Sequence, residues 1–213
     1  MGVLFAAAVL CSGCGPRPLV TRNYYLIDGY SLYDVRDVGV LPFTSGKDYS
    51  PEILEKCRTI FVSELRRRNE YRPHLVTSRD LTNFEDTRHL DAVVRGHVIY
   101  YDPAEPFRFG LQVEMEDLET GQILWSTSHI FDARLKDVVQ GVKGYYREVL
   151  YPHHPLLGHK YILLSMDKFI AFSCSTLVDT LQNEQEPEKQ AGSSIPEGNL
   201  KARPGREVRN DER

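Results

Sequence analysis

Cys14 is the side chain in this sequence with the most definite chemistry ahead of it. It closes residues 1–14, MGVLFAAAVLCSGC, where an apolar run gives way to the small residues Ser12 and Gly13. Small side chains let a peptidase reach the backbone, and the thiol that follows is the acceptor for a diacylglycerol. Residues 3–10 match the apolar part of a secretory signal and fall far short of the roughly 20 residues that span a bilayer. One acyl chain holds a protein to a membrane only marginally, so two or three chains on Cys14 make a lasting anchor. Cys11 stands where such sites usually carry Leu. No Lys or Arg precedes the apolar run, which points to a true start upstream. The plainer alternative is an N-terminal apolar strand or helix.

The remaining reactive side chains form weaker patterns. Cys57 and Cys174 remain once Cys11 leaves with the signal and Cys14 carries lipid. Outside the cytoplasm they can pair if their Cα atoms come within about 7 Å. Each also lies on the apolar stripe of an expected helix, so two buried free thiols fit equally well. His153, His154 and His159 cluster between two helices, and imidazoles in a loop can bind zinc. No acidic or cysteine ligand is near them in sequence, which favours a capping or surface role. Ser45-Gly46-Lys47 has the end of a phosphate loop but lacks the earlier glycine, and Asp48 replaces its Ser or Thr. Glu114, Glu116 and Asp117 could pair for glycoside hydrolysis, but a solvated strand face explains them better. No G-x-S-x-G nucleophile motif is present.

The elements that must position these residues read clearly in places. The segment 37–43, DVGVLPF, is a buried strand stopped by Pro42. Ser50 and Pro51 suit the start of a helix whose stripe is Ile53, Cys57, Ile60, Phe61 and Leu65. Arg66, Arg67 and Arg68 read as its solvated end. Residues 71–76 form a short strand, and Ser78 caps a short helix through Phe84. Residues 92–101 form a long strand. Phe107, Phe109, Leu111, Val113 and Met115 then alternate with Arg108, Gln112, Glu114 and Glu116, so one face is packed and one wet. Gly121 ends a hairpin turn, and residues 122–131 return with Trp125. Amphipathic helices follow at 133–150, weakened by Gly141 and Gly144, and at 161–181.

Composition adds bounds. The chain has 213 residues, 41% hydrophobic and 26% charged, as globular proteins do. A net charge of -4 leaves no nucleic-acid footprint. Without the signal and a polar tail about 165 residues remain, enough for one domain with a core. That domain is expected to be α/β, in two or three layers, with a mixed sheet, an antiparallel meander and helices packed on it. The boundaries are 1–13 for the signal peptide, 14–33 for a linker with one weak strand at 23–27, 34–181 for the domain and 182–213 for a disordered tail.

The order of DVGVLPF at 37–43, the amphipathic helix ending near Leu65, Leu75-Val76, LDAVVRG at 90–96 and DLETGQILWS at 117–126 resembles one group. It is similar to bacterial envelope lipoproteins with a TolB N-terminal-like domain, of the CsgG and LpoB types. The resemblance covers residues 37–181 and implies a fold and a compartment. The group shares no catalytic set, so only Cys14 carries over, as the lipid attachment point. The implied protein is a non-catalytic, periplasmic adaptor or accessory factor for envelope assembly, transport or secretion, with no cofactor. Its partners are a membrane, through the lipid, and an envelope protein; a homo-oligomer stays open. Gly15, in place of Asp after the cysteine, implies the outer membrane by the proteobacterial sorting rule. The polar face of 107–117 and the loop 153–159 are candidate contact surfaces.

Two alternatives belong to other classes. One is a subunit of an oligomeric outer-membrane pore, in which the hairpin 92–117 would face lipid. Arg95 and His97 count against it, since strict alternation puts them on one face with Val93, Ile99 and Tyr101. The other is a metal-binding protein or enzyme using the histidine loop at 153–159.

Overall fold

Val38 and Val40 are completely buried, and the parallel half of the sheet is built on the strand that carries them, β2 (Asp37–Val40). The computed structural model describes residues 23–77, 80 and 89–182. Around β2 stand β1 (Tyr24–Leu26), β3 (Thr44–Ser45), β4 (Arg72–Leu75), β5 (Ala92–Asp102), β6 (Arg108–Asp117) and β7 (Ile123–Asp132). Their order is β1-β7-β6-β5-β2-β4, with β3 on β5. β2 runs parallel to β4 and β5, while β5, β6 and β7 form the expected antiparallel meander. The sheet is therefore mixed and open, with four helices packed on it: α1 (Pro51–Arg66), α2 (Lys136–Tyr145), α3 (Lys160–Leu163) and α4 (Met166–Val178).

Burial follows the period-two pattern. Phe109, Leu111, Val113 and Met115 of β6 have no exposed surface and share one core with Phe61 of α1 and Phe169 and Phe172 of α4. Val93 points the other way, into a smaller cluster with Leu41, Val76 and Leu90. A bulge between Val98 and Tyr100 reverses this parity in β5. Strict alternation put Tyr101 beside Arg95 and His97. The extra residue instead turns Tyr101 to the core face, opposite Phe109, and leaves Tyr100 on the face of His97.

The domain starts earlier than its expected boundary at residue 34. Tyr24, Tyr25 and Leu26 pair with Thr127, Ser126 and Trp125 on the edge of β7. A 3-10 turn, Tyr30–Tyr33, follows and buries Tyr30, whose hydroxyl meets that of Tyr71 at 3.2 Å. Residues 23–33 thus belong to the body, because an edge strand takes its hydrogen bonds from a distant neighbour. Ser50 does precede α1 with Pro51 behind it, but its hydroxyl caps no backbone N–H. The Ser50 hydroxyl instead lowers the pKa of the Glu52 carboxyl. Arg66–Arg68 is not a free solvated end. Arg67 bonds Glu64 and Ser175 Oγ, and Arg68 pairs with Asp179.

The helix expected over 133–150 begins at Lys136 and changes to a π-helical turn at Tyr146–Leu150. The one expected over 161–181 is broken. Ser165 is extended, Leu164 is left 65% exposed, and α4 restarts with Asp167 in its first turn. The Ser165 hydroxyl caps no backbone N–H, but Asp167 at the positive end of the helix favours that restart. The short helix expected from Ser78, the signal peptide, residues 14–22 of the linker and the tail beyond residue 182 lie outside the described residues.

Candidate functional site

The side chains with chemical potential are mostly committed to local partners. Ser45 Oγ donates to Val98 O at 2.9 Å and accepts Lys47 N at 3.0 Å, and Gly46 N donates to His97 Nε2 at 3.2 Å. Because Nε2 accepts, Nδ1 carries the His97 proton and donates to Thr44 Oγ1 at 3.0 Å. The Ser45-Gly46-Lys47 turn is thus folded onto β5 rather than around a phosphate, and Lys47 Nζ lies over the Tyr100 ring at 4.3 Å. Glu116 pairs with Arg95 and Glu114 accepts from Gln112. Asp117 Oδ1 accepts the N–H groups of Glu119 and Thr120 and shapes the turn that Gly121, at φ +70°, completes.

The loop histidines do not converge. His153 and His154 are exposed in the turn after the π-helical segment, and His159 precedes α3. Partial burial, with Lys143 and Lys160 nearby, lowers the His159 pKa. Among the described residues no three His, Cys, Asp or Glu side chains are grouped to hold a metal ion. Cys57 and Cys174 are free and fully buried in this structure, on the packed helices α1 and α4. Burial pushes the Cys57 thiol up to about 12 and holds Cys174 well above its ordinary value. Such thiols are poor nucleophiles. Cys14 lies outside the described residues.

An open groove of about 840 Å³ runs along α1, between α4 and the π-helical turn. Its floor is Ile60, Val149, Leu150 and Ala171. Tyr145 closes one side, its hydroxyl donating to Glu64 Oε1 at 3.0 Å; burial and the Glu64 charge raise its pKa. Lys56 and Asp167 pair at 3.2 Å at one end. Floor and rim could seat an apolar side chain between charges, but they align no nucleophile with a base. The sequence reading marked neither this groove nor Arg58, whose buried guanidinium bonds Val40 O and Val76 O at 2.7 and 2.8 Å. Arg58 lies four residues after Leu54 and three before Phe61, inside the apolar stripe, and that position was the available signal.

Fold and site together define an open α/β domain in which Ser45, His97, Glu114, Glu116, Asp117 and Arg58 bond groups of the domain itself. Among the described residues no helix is long and apolar enough to cross a membrane. No family model matches the chain, and no curated protein does. It is similar to several solved structures, among them one lipoprotein. The PelC dodecamer from Paraburkholderia phytofirmans is 16% identical over 72% of this chain and 95% of that one, with a TM-score of 0.45. Lipoprotein GNA1162 from Neisseria meningitidis is 14% identical over 45% of this chain and 79% of that one, at 0.36. The LpoB C-terminal domain from Salmonella enterica is 12% identical over 45% and 82%, at 0.29.

Proposed function

We propose that this protein is a bacterial envelope lipoprotein, anchored by lipid on Cys14, whose TolB N-terminal-like domain works by binding rather than by catalysis. It faces the periplasm, from the outer membrane by the sorting rule at Gly15, and serves assembly, transport or secretion as an accessory factor. The reading is carried by one observation: the apolar run that ends in Ser12-Gly13-Cys14 stands ten residues ahead of the first strand of a folded body. Such a run is a signal in form. The commitment of the polar side chains to local bonds supports a binding role. A Cys14→Ala variant tests it by palmitate labelling and fractionation. Loss of label and release from the membrane are expected, and unchanged membrane association with no label on the parent chain would reject the anchor.

A further inference from the structure

The corrected start of the domain shortens the tether, and a short tether orients the body. If Cys14 holds the lipid, as proposed above, nine residue steps link it to Asn23. Its carbonyl already accepts Ser128 N at 3.1 Å and Thr127 Oγ1 at 3.2 Å. β1 is antiparallel to β7, so the chain leaves Asn23 toward the end of the sheet where β7 finishes at Asp132. The nine steps from Cys14 to Asn23 span at most about 32 Å when fully stretched. Clearing the sheet from Ser128 to Asp132 consumes about 13 Å of that reach. This end of the sheet therefore lies nearer the anchor, and the β6–β7 turn lies at the opposite end.

The same end carries apolar surface that the core does not use. Leu135 is 50% exposed and Leu164 65% exposed. Leu163 and Leu164 line a shallow depression of about 460 Å³ with Pro106, Ala133 and Lys160. Ala133 N bonds Phe107 O at 2.9 Å, which fixes the turn after β7 against the loop after β5. Leu156 and Leu157, both exposed, precede Lys160 by four and three residues. Charge here is even: Arg108, Arg134, Lys136 and Lys160 stand against Asp102, Glu105, Asp132 and Asp137. Attraction to anionic headgroups is therefore not the driving term.

We infer that this end of the domain rests on the bilayer that holds its own lipid, with Leu135 and Leu164 entering the headgroup layer. The occupant of the exposed apolar patch is a lipid surface, and contact is apolar rather than electrostatic. A leucine pair alone binds lipid weakly, but the tether keeps it within reach of the membrane continuously.

The test uses the full chain made in cells and reconstituted into vesicles of phosphatidylethanolamine with phosphatidylglycerol, and of phosphatidylcholine alone. An environment-sensitive fluorophore is placed at Leu164→Cys and, independently, at Leu135→Cys. Glu119→Cys in the β6–β7 turn, a strand length of about 30 Å away, is the control. Nitroxide-bearing lipids are expected to quench both leucine positions several-fold more than position 119, equally in both vesicle types. If protein floats with the vesicles but all three positions are quenched alike, the contact is wrong and the anchor stands. A blue-shifted label that nitroxide lipids do not quench assigns the patch to a second copy or another protein, and also overturns the contact. Protein that neither floats nor carries lipid on Cys14 brings down the anchor and the contact with it.

Discussion

Arg58 shows how a single charge can be spent on architecture. Its residue surface is 6% exposed, and Nη2 bonds the carbonyls of Val40 and Val76 while Nη1 bonds Glu55 at 3.1 Å. Val40 O also receives Val76 N, so removing the guanidinium orphans chiefly Val76 O. An Arg58→Met variant keeps the apolar stem and is expected to lose about 1–3 kcal/mol, the cost of one buried acceptor left unbonded. Urea unfolding followed by the emission of Trp125, the single tryptophan, measures it; a difference below about 0.5 kcal/mol, within ordinary surface variation, would show that the bond carries no weight. Asp132 gives a pH signature. Hydrogen bonds from Arg134, with the Arg134 and Arg108 charges beside it, hold its carboxyl at about 2. The unfolded value is about 3.9, so the stabilisation is present above about pH 4 and disappears as pH falls toward 2. Asp132→Asn should therefore destabilise at pH 7 and match the parent near pH 2, in the same unfolding assay. The thiols make a third expectation. With Ala at 11 and 14, native protein at pH 8 should leave Cys57 and Cys174 unreacted toward a thiol reagent, and denaturation should release both. Rapid native labelling would contradict their burial.

The strand β5 depends on a missing side chain. A Cβ on Gly96 would fall 2.4 Å from the Phe43 ring, which itself packs on Phe61 at 5.7 Å. Gly96→Ala must push a ring into a filled core and is expected to cost about 1–3 kcal/mol. Gly39→Ala meets side-chain methyl groups, Leu90 Cδ1 at 2.9 Å and Val76 Cγ2 at 3.1 Å, that can yield more easily than a ring, and should cost less. Thermal unfolding of the two variants decides it, and equal losses would refute the distinction. The same contrast explains what could be read without a structure. β2, α1 and the three-strand meander were legible because burial on one face writes a period into the residues, as in Phe109, Leu111, Val113 and Met115. β1 was faint because Tyr24-Tyr25-Leu26 is held by a partner about 100 residues away, and its own burial alternates only weakly. The break at Ser165 was hidden because Ile162 and Phe169, both fully buried, keep helical spacing across it. The bulge at Val98–Tyr100 was hidden because one inserted residue leaves the run of apolar side chains intact while exchanging the faces that follow. The groove on α1 arises from three elements meeting, so no local pattern announces it.

Taken as a body on a tether, the protein couples the position of one edge strand to the orientation of all the rest. The edge strand β1 is bonded along β7, so tension on the spacer acts on the sheet rather than on a flexible arm. Spacer length then sets how often the end bearing Leu135 and Leu164 meets lipid. A flexible coil samples a volume that grows as about the 3/2 power of its length, and the local concentration of its two ends falls accordingly. Inserting 20 Gly/Ser residues after Pro18 lengthens the nine-step spacer about threefold, so the local concentration should drop roughly sixfold. The proposed lipid anchor on Cys14 is untouched by this change, so flotation with vesicles is expected to stay complete. Nitroxide quenching of a label at position 164 is expected to fall toward that at position 119. Quenching that survives the insertion unchanged would mean that the patch binds lipid strongly by itself, and the short spacer would then have no part in orienting the domain.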